Sequence, residues 1–352
     1  MDFSYLITDG TQEKNLGFEV NTGALPKVSA VPLTKSLLDP TSTGSSHGAN
    51  ADELNYYIVT TSEGNDLHST ANNLKSANNG VIAIGNGFIT SYAISASVGE
   101  FASASVSVEA SNMLFKDNMS AAFSNPAIDV NSSTGAKFSG STVDFGTLKS
   151  SDGDITVGGN EIFAIRPGDI EIDFDATGYF ATQGTVSPVG KLDVGGPVLP
   201  GSGFGSGTKT PVHLQSVSLD VPVSRTPMTK LGAHFPFARK IDFPVNMSLS
   251  VSALMTDIDD GSLDDLICNA EQKRDIAIRM KDRCGNNQVI TYVMRNAILD
   301  SESFSASIGD NKTVDLTFSA QVGGANDSSN GIFAFTGVTS NPASFDTPTK
   351  TP

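Results

Sequence analysis

The chain has 352 residues, 38% of them strongly hydrophobic, no Trp, and a formal charge of −16 from 22 Lys plus Arg against 38 Asp plus Glu. That is apolar material for a substantial core, and the acidity argues against a surface that grips nucleic-acid phosphates. Two cysteines, Cys268 and Cys284, exclude a dense disulfide framework and are expected as free thiols; no run approaches the roughly 18 apolar residues of a membrane helix.

The opening MDFSYLITDGTQEKN has neither a basic region nor a sustained apolar core, so it is not a recognisable signal peptide. Residues 1–33 are expected as an arm with strand-sized pieces at FSYLI (3–7) and LGFEV (16–20). From 34 to 80 runs a polar excursion, too long for a passive connector, that either lacks regular structure or orders against another subunit. The clearer pattern starts at 81. Ile94, Ala96 and Val98 alternate with Ser95 and Ser97, and Val106 and Val108 repeat the alternation after GEFASA. Successive side chains of a strand point to opposite faces, so these are two half-buried strands joined near Gly99. Their small polar partners face solvent or a close-packed subunit.

The pattern weakens over 114–160. In RPGDIEIDFDA (166–176), Pro167–Gly168 makes a turn and Ile170, Ile172 and Phe174 alternate with acids, which reads as a strand with an acidic exposed face and a possible source of an acidic lining. The glycines of 194–211 lack the strand-to-helix context of a dinucleotide loop and read as a linker. Val217, Leu219, Val221 and Val223 then share one strand face, and Met247, Leu249, Val251, Ala253 and Met255 another. Between them lies a loop with prolines at 222, 227, 236 and 244 and the cations Arg225, Lys230, Arg239 and Lys240.

Ser262 with Asp265 fits a capping box, and Leu263, Leu266 and Ile267 share one face, predicting a short helix over 262–271. Strand periodicity returns at Ile276, Ile278 and Met280. Phe304, Ala306 and Ile308, a turn at 309–312, and Val314, Leu316, Phe318, Ala320 and Val322 read as an antiparallel hairpin. The expected organisation is an N-terminal arm and long loop (1–80), a first β-rich region (81–193), a Gly/Pro linker (194–211), a second β-rich region with a short helix (212–324) and a C-terminal tail (325–352). SYAISASVGEFASASVSVEASNM and SVSLDVPVS…FPVNMSLSVSALM echo one another. The echo reflects either duplication or the ordinary recurrence of alternating strands.

Chemical signatures are weak. GSSHG (44–48) matches a nucleophile elbow formally, with Ser46 as nucleophile, but no strand runs into it and no helix leaves it. DIDDG places Gly261 fifth rather than sixth, and the later calcium ligands of an EF-hand are missing. His47, His68, His213 and His234 are scattered, and neither cysteine has a ligand-spaced partner. No enzyme, cofactor or metal is therefore expected.

Three stretches carry a resemblance: GFITSYAISASVGEFASASVSVEASNM (87–113), LQSVSLDVPVSRTPMTKLGAHFPFARKIDFPVNMSLSVSAL (214–254) and ITYVMRNAILDSESFSASIGDNKTVDLTFSAQV (290–322). Together they resemble virion structural proteins of tailed phages, in the tail-tube family. The resemblance implies a mainly β fold: an antiparallel β-sandwich or barrel with a short α-helix, with room for two related sheets in one chain. It also implies self-association into rings and stacks, contacts with other tail proteins such as a sheath or tape-measure protein, DNA passing without specific binding, no membrane, and residence in the virion tail after assembly in the host cytoplasm. On that reading Arg225, Lys230, Phe235, Phe237, Arg239, Lys240 and Asp242 are candidate assembly contacts. Within-chain packing is the competing role for each. Alternatives are a neck, baseplate or capsid-decoration protein, or a carbohydrate-binding β protein, the last disfavoured by sparse aromatics and no Trp.

Overall fold

The structure is a computed structural model. It describes residues 1–23, 29–39, 53–64, 79–119, 123–130, 164–173, 213–254, 273–281, 288–305 and 312–338, with Lys27, Tyr179, Phe180 and a few short pieces between 132 and 194. The expected helix at 262–271, the GSSHG and DIDDG motifs and both cysteines lie outside the described residues.

The architecture is mainly β. The first part holds β1 (Asp2–Leu6), α1 (Thr11–Asn15), β2 (Val20–Thr22), α2 (Lys35–Leu38), β3 (Leu54–Thr61), β4 (Asn79–Ser97), β5 (Ser103–Glu109) and β6 (Asn112–Lys116). Short pieces follow: β7 (Phe123–Ser124), β8 (Thr142–Val143), β9 (Thr156–Val157), β10 (Asn160–Glu161), β11 (Ile170–Asp173) and β12 (Asp193–Val194). The last part holds β13 (His213–Pro222), β14 (Arg225–Met228), β15 (Ala238–Ile241), β16 (Asn246–Leu254), β17 (Arg274–Lys281), β18 (Gln288–Ser305), β19 (Thr313–Gln321) and β20 (Gly331–Val338).

Seven strands make the main sheet, in the order β1-β5-β4-β13-β16-β19-β18. A second sheet, β12-β11-β17-β18-β20-β2, packs across its inner face, and a three-stranded sheet, β3-β4-β6, extends from β4. The result is a β-sandwich, antiparallel except for the parallel β2–β20 pair, without barrel closure among the described residues. Alternation explains the main sheet: Ile94, Val106, Leu219, Leu249, Leu316 and Phe318 all turn inward and are almost fully buried. Each such side chain contributes about 1.5–3 kcal/mol.

Two long strands bind the sheets together. β4 has 19 residues and β18 has 18, and each changes sheet at an asparagine of positive φ, Asn86 (φ 53) and Asn296 (φ 55). Asparagine tolerates this left-handed conformation where most residues do not. Each amide also ties down a loop. Asn86 Oδ1 accepts the Ile128 N–H at 2.8 Å, and its Nδ2 donates to the Ile128 carbonyl at 3.1 Å. Asn296 Nδ2 donates to the Ser329 carbonyl at 2.7 Å and to Asn330 Oδ1 at 2.9 Å. Gly85 is required because a Cβ there would sit 2.4 Å from the Pro126 carbonyl group.

The match extends beyond the asparagines. The strand set β3-β4-β5-β6 repeats as β17-β18-β19-β20. In both sets the first strand bulges at the kink (Leu54/Tyr56 and Arg274/Ile276), and a second bulge follows it (Ile89/Ser91 and Leu299/Ser301). A side chain on the first strand receives the asparagine's N–H, from Asn86 to Asn55 Oδ1 at 3.2 Å and from Asn296 to Asp275 Oδ1 at 3.0 Å. The chain thus contains two units of one plan. The strands quoted for the sequence echo lie side by side in the main sheet rather than as counterparts: β4 pairs with β13, and β13 with β16.

Several local expectations changed. LGFEV contributes only Val20 to a strand, as the start of β2; its Leu16–Gly17 turn closes α1, whose start Asp9 secures by accepting the Thr11 N–H and hydroxyl at 3.1 and 2.8 Å. The polar excursion contains β3, and the expected tail contains β20, paired along β18.

Candidate functional site: a hydroxyl face and a projecting hairpin

The outer face of the main sheet is built by the same alternation that fills the core. Cross-strand register brings its small side chains into rows. One runs Ser103–Ser95–Ser218–Ser250–Thr317–Ser301, and the next Ser97–Ser216–Ser252–Asp315–Ser303. A third runs Ser4–Ser105–Ala93–Asp220–Ser248–Ser319. With strands about 4.8 Å apart and same-face residues about 6.8 Å apart along each strand, the surface is a grid of short hydroxyls. Some bond to each other, as Ser95 Oγ to Ser103 Oγ at 3.1 Å and Ser305 Oγ to Thr313 Oγ1 at 2.7 Å. The charged members of these rows, Asp220 and Asp315, are both acidic. No Lys or Arg occurs in β1, β5, β13, β16 or β19, or in the main-sheet portions of β4 and β18.

The cations gather elsewhere. β14 and β15 pair as a hairpin that leaves the main sheet between β13 and β16. Its base is fixed by Arg225, a buried residue whose Nε donates to the Ile89 carbonyl at 3.2 Å and Nη1 to the Arg239 carbonyl at 3.1 Å. The guanidinium groups of Arg225 and Arg239 lie 5.2 and 5.8 Å from the Phe88 ring, and Arg239 pairs with Glu109 at 2.5 Å. Cation–π contact and a charge pair thus dock the hairpin on the kink of β4.

The seven residues expected at an assembly contact therefore share one hairpin but divide by environment. Arg225 and Arg239 make within-chain contacts. Lys230, Phe237, Lys240 and Asp242 are exposed, Lys230 lying 5.8 Å from the Phe237 ring and Asp242 accepting the Thr226 hydroxyl at 2.9 Å; Phe235 is half-buried. Exposed Met228 and the fully exposed Leu231 extend the apolar tip, and exposed Phe243 lies at the base, beyond Ile241. Two acids of RPGDIEIDFDA sit away from the hydroxyl face: Asp169 pairs with Arg166 at 2.7 Å, and Glu171 in the second sheet pairs with Lys281 and with Arg279 at 3.7 Å.

A further cluster escaped sequence reading. Glu13 of α1 is buried, and its Oε1 accepts the hydroxyls of Tyr5, Tyr92 and Tyr292 at 3.0, 3.0 and 2.9 Å. Tyr92 and Tyr292 oxygens are themselves 3.1 Å apart. Burial, reinforced by Tyr292 and the Glu13 charge, lifts the Tyr92 phenol far above its ordinary value; burial, then Glu13 and Tyr5, does the same for Tyr292. Glu13 and Tyr292 lie 279 positions apart, so no spacing rule exposes the cluster. Among the described residues no three His, Cys, Asp or Glu side chains gather as metal ligands.

No family profile matches the sequence, and no curated relative matches it either. Among solved structures, the chain is similar in part to the tube-terminating cap of the anti-feeding prophage, at 11% identity and a TM-score of 0.29, over 52% of this chain and 95% of that one. A chain of the sheath–tube complex of the extracellular contractile injection system PVC gives 14% identity and a TM-score of 0.31, over 49% and 93%. A chain of the tail of an empty gene transfer agent particle gives 13% and 0.25, over 43% and 90%.

Proposed function

We propose that the chain is a passive structural subunit of a virion tail, assembling into stacked rings around a DNA conduit that its hydroxyl face lines. The observation that carries this reading is the main sheet, which runs through both units and presents rows of Ser, Thr and Asp with no cation along them. Tight association with DNA depends on Lys and Arg displacing counterions from phosphates. A wall of neutral hydroxyls and carboxylates offers no such exchange and repels the polyanion, so DNA slides along it. The cationic, apolar hairpin is the counterpart device, facing other subunits: its charges set register and encounter, and its aromatic and aliphatic tip supplies burial. The similarity of three sequence stretches to tail-tube proteins agrees with this assignment.

Among the described residues the hairpin, which lies between β13 and β16, has no counterpart in either repeated strand set. That inequality favours a second reading, a neck or baseplate position where few copies are used. Electron microscopy of purified protein separates the two: long hollow stacks support the tube, and single rings or short stacks the tube end. Solid aggregates, or a bore lined by Lys and Arg, overturn both. Ser218→Lys with Ser250→Lys sharpens the wall argument, because wild-type assemblies should leave duplex DNA unretarded in a gel and the variant should retain it at low salt only.

A further inference from the structure

Counterpart positions of the two units meet different fates. In the second unit, the inward face of β17, β18 and β20 is dry: Ile278, Tyr292, Ile332 and Ala334 are all buried. Its cover comes from the first unit, where Tyr92 of the main sheet meets Tyr292 and α1 inserts Glu13 between them. In the first unit, register assigns the same positions to Ile58, Ile82, Met113 and Phe115. Ile58, Met113 and Phe115 are 40%, 54% and 69% exposed. The other half of the joint is bare too. The counterparts of Tyr92 and Ile94 are Glu302 and Phe304 at the end of β18; both are exposed, Phe304 by 52%, although their neighbours Leu316 and Val314 on β19 are buried. Apolar side chains gathered on a sheet face in this way mark an interaction surface.

One joint between units is therefore complete inside the chain, and both halves of an equivalent joint stand open at its two ends. We propose that the Glu302–Phe304 face of one copy docks on the Ile58–Met113–Phe115 face of a second copy, so that chains join head to tail by repeating their own internal joint. This rests on the self-assembling reading above and specifies its contact. The surfaces differ, so the contact is heterologous: it closes a ring when the rotation per copy divides a full turn, and otherwise propagates as a filament. The hairpin, on a different part of the surface, is left free for contacts between rings.

The test uses the full chain, with Met113→Glu/Phe115→Glu as one variant and Phe304→Glu as the other. These side chains are exposed, so circular dichroism and melting should match the wild type; Ile58→Lys provides a second variant of the first face. Light scattering and native mass spectrometry should show wild-type oligomers. Each variant alone should stay monomeric at concentrations at least tenfold above the wild-type midpoint. A one-to-one mixture should form dimers and nothing larger, because each partner keeps one intact face. Wild-type assembly with variants that assemble equally well overturns the joint but leaves the structural-subunit reading standing. A wild type that stays monomeric under all assembly conditions overturns that reading as well.

Discussion

The β3-β4-β6 and β17-β18-β20 sheets share connectivity, register, kink and bulges, yet one leaves Ile58, Met113 and Phe115 exposed on the face that the other buries. The residues at the matched positions are apolar in both: Ile58 with Ile278, Ile82 with Tyr292, Met113 with Ile332. Side-chain size even runs against exposure, since Phe115 occupies the place of Ala334. Intrinsic pattern therefore prepares both faces for burial, and the difference lies in what covers them. A face can be core in one setting and surface in another without any change in its local code.

The sharpest way to break this comparison is to truncate matched residues. Ile278→Ala should destabilise the monomer by about 3 kcal/mol through a lost core contact and a residual cavity, whereas Ile58→Ala should change it by less than about 0.5 kcal/mol. Equal losses in denaturant melts would mean that the first face is covered within the chain. The kinks come next. Asn86→Ala should cost about 2 kcal/mol, combining left-handed backbone strain with loss of buried hydrogen bonds; Asn296→Ala, in a more open setting, should cost about 1 kcal/mol by the same two effects. A reversed order would put the tighter clamp in the second unit.

Titration sharpens the comparison further. Burial raises Tyr57 on the first unit and lifts Tyr292 on the second much more, with Glu13 and Tyr5 adding to it. A phenol whose folded pKa is raised contributes stability that is complete below its unfolded value, about 10, and is lost as pH climbs toward the folded value. Absorbance should therefore show Tyr57 ionising before the fold is lost and Tyr292 only with alkaline unfolding, provided single Tyr→Phe variants assign the signals. The smallest effect concerns Asp327. Burial opposes its charge, but the Asn330 side chain, the N–H groups of Ser329 and Asn330 and the Arg295 charge outweigh this and hold the carboxyl below its ordinary value. Its contribution is complete above the unfolded value, about 3.9, and fades as pH falls through the folded one. Hydrogen exchange at 327–330 should quicken only on acidification below about pH 4, while the loop at Pro126–Ile128, held by amides, should not respond.

The sequence made the main sheet legible because one of its faces is polar. Ser95, Ser97, Ser218, Ser250 and Thr317 interrupt the apolar residues every second place, and that interruption is the strand signal. β20 was hidden for the opposite reason: GIFAF is buried on both faces, so nothing alternates. β3 was hidden by the polar sequence on either side of it. The candidate hairpin could be located from its prolines and cations, but the inward turn of Arg225 could not, since its partners are carbonyls contributed by β4 and β15. The hydroxyl rows needed register, which no single strand carries.

Glu13 has a consequence for synthesis. The acceptor that it offers is not saturated until Tyr292 has left the ribosome, 279 residues after it. The N-terminal helix therefore cannot take up its final seat on a nascent chain, and such distant pairing makes folding slow relative to helical proteins of similar stability. Until that moment the face of β4 carrying Tyr92 is as bare as the end of β18 remains in the finished monomer. Before Tyr292 emerges the chain thus presents this kind of docking face at Tyr92, and afterwards only at the end of β18, so emergence of the second unit moves the surface through which the subunit enters assembly.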